Sequence, residues 1–217
     1  MAAPWHTAVM LVAIGVMIFR GRLWADQIRA VANPDHLALY ARTILSEWLT
    51  LGLALAGVWL RGSSFRTILG GPWRSTRQFL RAAGIGLLFL IASITVTSIF
   101  GGHGGAGDRA VQFLLPHGRV EIGLWIVLSI TAGICEEAVY RGYLQKQFMA
   151  LTKSVPAGIV LSALIFGAAH SYQGFARASL IAMTGTMSGI LAYWCRSVRP
   201  GMIAHSLQDV LGAFVRH

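Results

Sequence analysis

Long apolar runs alternate along this chain with short polar stretches rich in arginine and glycine. Thr7 to Phe19, Leu37 to Leu60, Ala82 to Phe100, Ile122 onward, Ala157 to Ala169 and Ala178 to Trp194 are the runs, and a last helix carries His205-Ser206-Leu207-Gln208-Asp209 towards the chain end. Runs approaching 20 apolar residues suit helices that cross a hydrocarbon core about 30 Å thick. The pattern therefore predicts an all-α, polytopic transmembrane helix bundle of about seven spans. No soluble domain or internal repeat interrupts it, so residues 1–217 read as one multi-pass integral membrane domain, in the cell membrane if the chain is bacterial.

The polar breaks refine this picture. Arg20 and Arg22 follow the first run without a small-x-small cleavage site, which predicts a retained span. Asn33-Pro34-Asp35 reads as a loop, and Gly101-Gly102-His103-Gly104-Gly105 as a linker, since no strand precedes it and no lysine follows. Arg61 to Arg81 holds five arginines and no acid, with Phe65, Ile68, Leu69, Trp73, Phe79 and Leu80 between them. It reads as a basic amphipathic segment lying on the membrane surface. The positive-inside tendency puts it in the cytoplasm with the N-terminus, and the C-terminus outside.

Composition excludes a soluble protein: the 217 residues are 55% hydrophobic and 12% charged, with a mean hydropathy of +0.62, where soluble domains carry about 25% charge. The net charge of +10 sits mostly on arginines that flank apolar runs, so it implies a lipid bilayer and no nucleic-acid partner. Cys135 and Cys195 lie in apolar surroundings and read as packing residues; Cys135 could act as a nucleophile only beside an activating base.

Chemistry concentrates in Cys135-Glu136-Glu137-Ala138-Val139-Tyr140-Arg141, which follows a run without charge from Ile122 to Ile134. On a helix entering the bilayer at Ile122, Glu136 lies roughly 20 Å deep, where ionisable groups are costly and mark a functional path. Glu137 reaches Arg141 at helical spacing as an ion pair, while Glu136 points about 100° away with its lone pairs free. His170 ends the fifth run, and His205 and Asp209 share one face of the last helix. Measured from the cytoplasmic side, Glu136 and His170 lie roughly 15 to 20 Å in, and His205 and Asp209 about 7 to 13 Å. Taken singly, His170 suits a satisfied core histidine and His205–Asp209 a structural pair; together they supply a general base, a proton shuttle and oxyanion donors. Glu47, in the second run, could contribute to the polar interior, but reads rather as locally paired or interfacial near the helix start.

Glu136-Glu137-Ala138-Val139-Tyr140-Arg141, Phe166-Gly167-Ala168-Ala169-His170 and His205-Ser206-Leu207-Gln208-Asp209 resemble, in order, the Glu-Glu-x-x-x-Arg, Phe-x-x-x-His and His-x-x-x-Asn/Asp motifs of the CAAX protease and bacteriocin-processing family, also called the Abi family, which includes the Rce1-type endopeptidases. The likeness runs from about Ser129 to the C-terminus. It implies an intramembrane endopeptidase of glutamic type, with residues 122–217 as the catalytic half. Glu136 with His170 would activate a water, His205 and Asp209 would position or stabilise the oxyanion, and Glu137 with Arg141 would support the site. The implied substrate is a peptide or protein, lipidated or bearing a C-terminal sorting tail.

No cofactor is expected. One Glu and two His could in principle hold a zinc ion, yet no His-Glu-x-x-His spacing is present, so the expected chemistry is metal-free. A transporter or bacteriocin-immunity protein using the same polar cavity is the alternative from another functional class.

Overall fold

The computed structural model describes residues 1–31, 34–101 and 112–215. It is 85% helix, with no strand among the described residues. In chain order come α1 (Pro4–Arg29), α2 (His36–Trp59), a short α3 (Arg66–Leu69), α4 (Thr76–Gly101) and α5 (Arg119–Glu136). A π-helix (Glu137–Leu144) continues α5 directly into α6 (Gln145–Thr152), followed by α7 (Val155–Ala169), α8 (Phe175–Cys195) and α9 (Arg199–Val215). Local sequence explains the ends. Asp35 caps α2 by accepting from the Ala38 amide at 3.0 Å, and Ser154 caps α7 by accepting from Ala157 at 3.3 Å, with Pro156 in the first turn.

Among the described residues four stretches are long and apolar enough to cross a membrane: α1, α4, the continuous helix Arg119–Thr152 of 34 residues, and α8. α7 is apolar but shorter. The expected count of about seven exceeds this: α2 carries Arg42 and Glu47 among its apolar residues, and α9 has 17 residues and carries His205, Gln208 and Asp209. α4 turns Leu88 and Ile91 outward, 70% and 63% exposed, as a lipid-facing surface requires.

The basic stretch from Arg61 to Arg81 is not one amphipathic helix. Gly62 and Gly70, at φ of 64° and 82°, break it, and Arg77 and Arg81 belong to α4. Arg199 stacks 4.0 Å from the Trp73 ring, tying the stretch to the start of α9. The glycine linker expected at 101–105 lies, beyond Gly101, outside the described residues, as does Asn33 of the loop before α2.

The helix from Arg119 to Thr152 is the axis of the bundle. Every residue of its π-helical part is buried. Cys135, Val139, Tyr143 and Leu144 pack with Met10 and Ile14 of α1, Leu51 and Val58 of α2, Ile68 of α3 and Phe166 of α7. α9 seats against α5 where Gly133 meets Ser206: a Cβ there would collide with Ser206 Oγ. Two further bonds fix α9, from Ser93 Oγ to Gln208 Oε1 at 3.2 Å and from Trp125 Nε1 to the Asp209 carbonyl at 3.0 Å.

Candidate active site

The π-helix sets the site. Its backbone hydrogen bonds reach one residue further than in an α-helix, and such widened turns occur often at functional positions. Ser162 Oγ of α7 donates to the Tyr140 carbonyl at 2.6 Å, giving this stretch a partner from outside the helix. Glu137 Oε1 and Arg141 Nη1 are 3.1 Å apart with both side chains almost fully enclosed, as the spacing predicts. Arg141 also donates from Nη2 to the Gly185 carbonyl at 3.3 Å, and its Cζ lies 4.2 Å from the Phe166 ring centre.

His205 enters from α9 and meets three carboxylates. Its Nε2 is 3.6 Å from Glu136 Oε2 and 3.5 Å from Asp209 Oδ2, and its Nδ1 is 3.5 Å from Glu137 Oε1. A ring facing carboxylate oxygens at both nitrogens is set to donate from both. Glu136 and His205 are 13% and 17% exposed, while Asp209, at 36%, borders the open side of the cluster.

His170 caps α7, and its Nδ1 donates to the Phe166 carbonyl at 2.9 Å, which leaves Nε2 as an acceptor in the neutral ring. It joins the cluster through Phe166. That ring lies 4.8 Å from His170, 4.9 Å from Tyr140 and 6.0 Å from His205, each edge-on. Glu136, Glu137, Arg141, His205 and Asp209 thus converge directly, and His170 flanks them across one aromatic side chain.

Glu47 corrects the sequence reading. It is half-buried on α2 and within electrostatic reach of Glu136, His205 and Asp209, which places it with the polar interior. It was readable as the lone acid of α2, since an ionisable group in an apolar span faces the bundle interior by default. The π-helix had no such signal. Cys135 is fully buried in the core, as a packing residue.

A cavity of about 520 Å³ runs from Arg141 and Gln145 to Lys146 and Arg196 at the start of the α8–α9 connection. Metal ligands could come from Glu136, His170 and His205, but among the described residues no group of three or more His, Cys, Asp or Glu has the arrangement of an ion site.

Residues 118–211 match the family model of type II CAAX prenyl endopeptidases, Rce1-like. The chain carries an Rce1-like domain. All three motifs lie within the matched residues, which supports the likeness to the CAAX protease and bacteriocin-processing family. The Rce1-like match supports an intramembrane CAAX-type protease in general terms. No curated protein and no solved structure matches the chain.

Proposed function

We propose that residues 1–217 form one integral membrane domain whose 122–217 part cuts a peptide bond near the C-terminus or processing site of a membrane-associated protein, with a water activated by Glu136. The carrying observation is Glu136 itself: its Oε2 is buried without a hydrogen-bond partner among the described residues, 3.6 Å from His205. A carboxylate so held can take a proton from a water brought between it and His170. His205 then donates to the oxyanion that forms on the scissile carbonyl. Asp209 accepts from His205 and orients it, being unable to donate while ionised. Glu137 and Arg141 neutralise one another and fix the helix that presents Glu136. When the C–N bond breaks, the proton on Glu136 passes to the leaving amine.

The substrate we assign is a peptide with an apolar or lipid-bearing C-terminal part, because Glu136 lies deep in the bundle and the chain ends it meets come from a bilayer. Purified protein in liposomes, given a fluorogenic peptide ending in a prenylated cysteine plus three residues and the same peptide without the lipid, provides the test. Glu136→Gln and His170→Ala each reduce cleavage at least about 100-fold while the protein remains folded and inserted. Undiminished cleavage by Glu136→Gln overturns the assignment.

A further inference from the structure

The loops on one side of the bundle carry cations and no acid. Arg61, Arg66 and Arg74 follow α2, Lys146 and Lys153 lie on and just after α6, and Arg196 and Arg199 join α8 to α9. These loops meet, since Lys146 bonds the Thr67 carbonyl and Arg199 stacks on Trp73. No Asp or Glu occurs anywhere in 48–107 or 138–208. The anions that balance this face therefore come from outside the chain.

One place on the face is hollow. The cavity of about 520 Å³ has Arg141, Gln145, Lys146 and Met149 along one wall, and the end of α8 with Arg196 and Val198 along the other. Its size falls within the roughly 300–1,000 Å³ of small-molecule sites. Arg141 is already committed, to Glu137 and to the Gly185 carbonyl. Lys146 and Arg196 differ, as neither has an acid partner among the described residues. Lys146 gives one of its three donors to the Thr67 carbonyl at 2.5 Å, which leaves its charge unmatched. Arg196 stands at the left-handed C-cap of α8, φ 49°, where glycine is the ordinary choice, so a long cation is kept there against local preference.

The rim indicates where the ligand comes from. Trp194 and Tyr193, 79% and 46% exposed, border the cavity at the end of α8. Exposed aromatic side chains at the end of a spanning helix mark the level of the lipid headgroups. We infer that this cavity binds the phosphate of an anionic phospholipid from the leaflet bordering these loops, with Lys146 and Arg196 paired to the phosphate and Tyr193 and Trp194 against the start of the acyl chains. Basic pockets between spanning helices are suited to such headgroups. A choline headgroup would bring a further cation into a cavity lined by cations alone. Soluble phosphate would find the same two charges, but it would make no use of the aromatic rim. The site stands apart from the reading of Glu136 as the base, and its test needs no cleavage.

Native mass spectrometry of the detergent-purified protein, with phosphatidylglycerol or phosphatidylcholine of the same acyl chains added, reads bound lipid directly. Wild type should retain one phosphatidylglycerol at a lipid concentration roughly 10- to 30-fold lower than phosphatidylcholine requires, as two cations beside one anionic headgroup provide. Lys146→Gln/Arg196→Gly should lose that preference. It keeps a donor to Thr67 and gives the left-handed cap its ordinary residue. Arg196→Gly alone should lower the preference severalfold, and it decides the matter if the double variant does not fold. Arg66→Gln/Arg74→Gln, which removes two charges from the same face outside the cavity, should leave it intact. Equal retention of the two lipids, an undiminished preference in the cavity variants, or an equal loss in Arg66→Gln/Arg74→Gln overturns the site. Inorganic phosphate in large excess should leave the lipid bound; displacement of the lipid would make soluble phosphate the ligand and overturn the lipid assignment.

Discussion

Gly133 and Ser206 touch so closely that the glycine admits no side chain: a Cβ would strike Ser206 Oγ and come within 2.9 Å of the Met202 carbonyl oxygen. Glu136 lies one turn beyond Gly133, and His205 precedes Ser206. The contact therefore sets the distance between the Glu136 carboxyl and the His205 ring. Gly133→Ala should cost about 1–3 kcal/mol through overpacking and lower cleavage as α9 moves away. Gly123→Ala, on the same helix with nothing within 4 Å, should leave both unchanged. Thermal unfolding in detergent and peptide cleavage check this, and a fully stable, active Gly133→Ala would contradict it.

Removing one partner of the Glu137–Arg141 pair leaves a charge stranded in the core, so Glu137→Ala and Arg141→Ala should each cost about 3–5 kcal/mol and lose activity with the fold. Arg141→Lys should restore little, because the flat guanidinium both pairs with Glu137 and stacks on Phe166, 4.2 Å away. The double variant Glu137→Gln/Arg141→Met should be more stable than the two single losses added together. Denaturation of all four proteins tests the coupling; strict additivity would mean that the pair contributes nothing as a pair.

Much of this site was legible in the chain because its chemistry departs from its surroundings. Glu136, Glu137 and Arg141 stand out against a run without charge, and helical spacing alone pairs Glu137 with Arg141. The motif at 166–170 places Phe166 and His170 one turn apart, and the structure adds that the ring links His170, His205 and Arg141. Other features depend on register between distant helices. Glu47 comes within electrostatic reach of Glu136 because α2 packs along α5, which no local pattern encodes. The π-helix likewise replaces an α-helix through packing, with Ser162 supporting it from α7.

Orientation across the membrane follows from where the loops meet. The N-terminal amine lies 3.4 Å from Ser63 Oγ, Gln147 donates to the Ala2 carbonyl at 3.2 Å, and Arg199 stacks on Trp73. The ends of α2, α6 and α8 therefore share one side with the N-terminus, along with Arg61, Arg66, Arg74, Lys146, Lys153 and Arg196. The positive-inside tendency predicts that this side is cytoplasmic. In a protein lacking its two native cysteines, a cysteine at Ser64 should label only from inside and one at Val31 only from outside. Reversed labelling would turn the whole bundle over.

Catalysis should proceed without a bound metal, and the arrangement of charges gives the reason. A zinc site with a free position for water needs three ligands turned on one point, the natural set here being Glu136, His170 and His205. His205 already points both nitrogens at carboxylates, and His170 spends Nδ1 on the Phe166 carbonyl and stands across the Phe166 ring from His205. Making Glu136 a ligand would pass the base role to Glu137, which is held by Arg141 at 3.1 Å. The guanidinium would also oppose a dication at that point, whereas it favours the carboxylates as anions. Elemental analysis of the purified protein, with cleavage measured before and after exhaustive chelation, decides the question. The expected result is cleavage unaffected by chelation. Stoichiometric zinc whose removal stops cleavage and whose return restores it would turn Glu136 from base into ligand, and would require His170 to swing past Phe166 to complete the site.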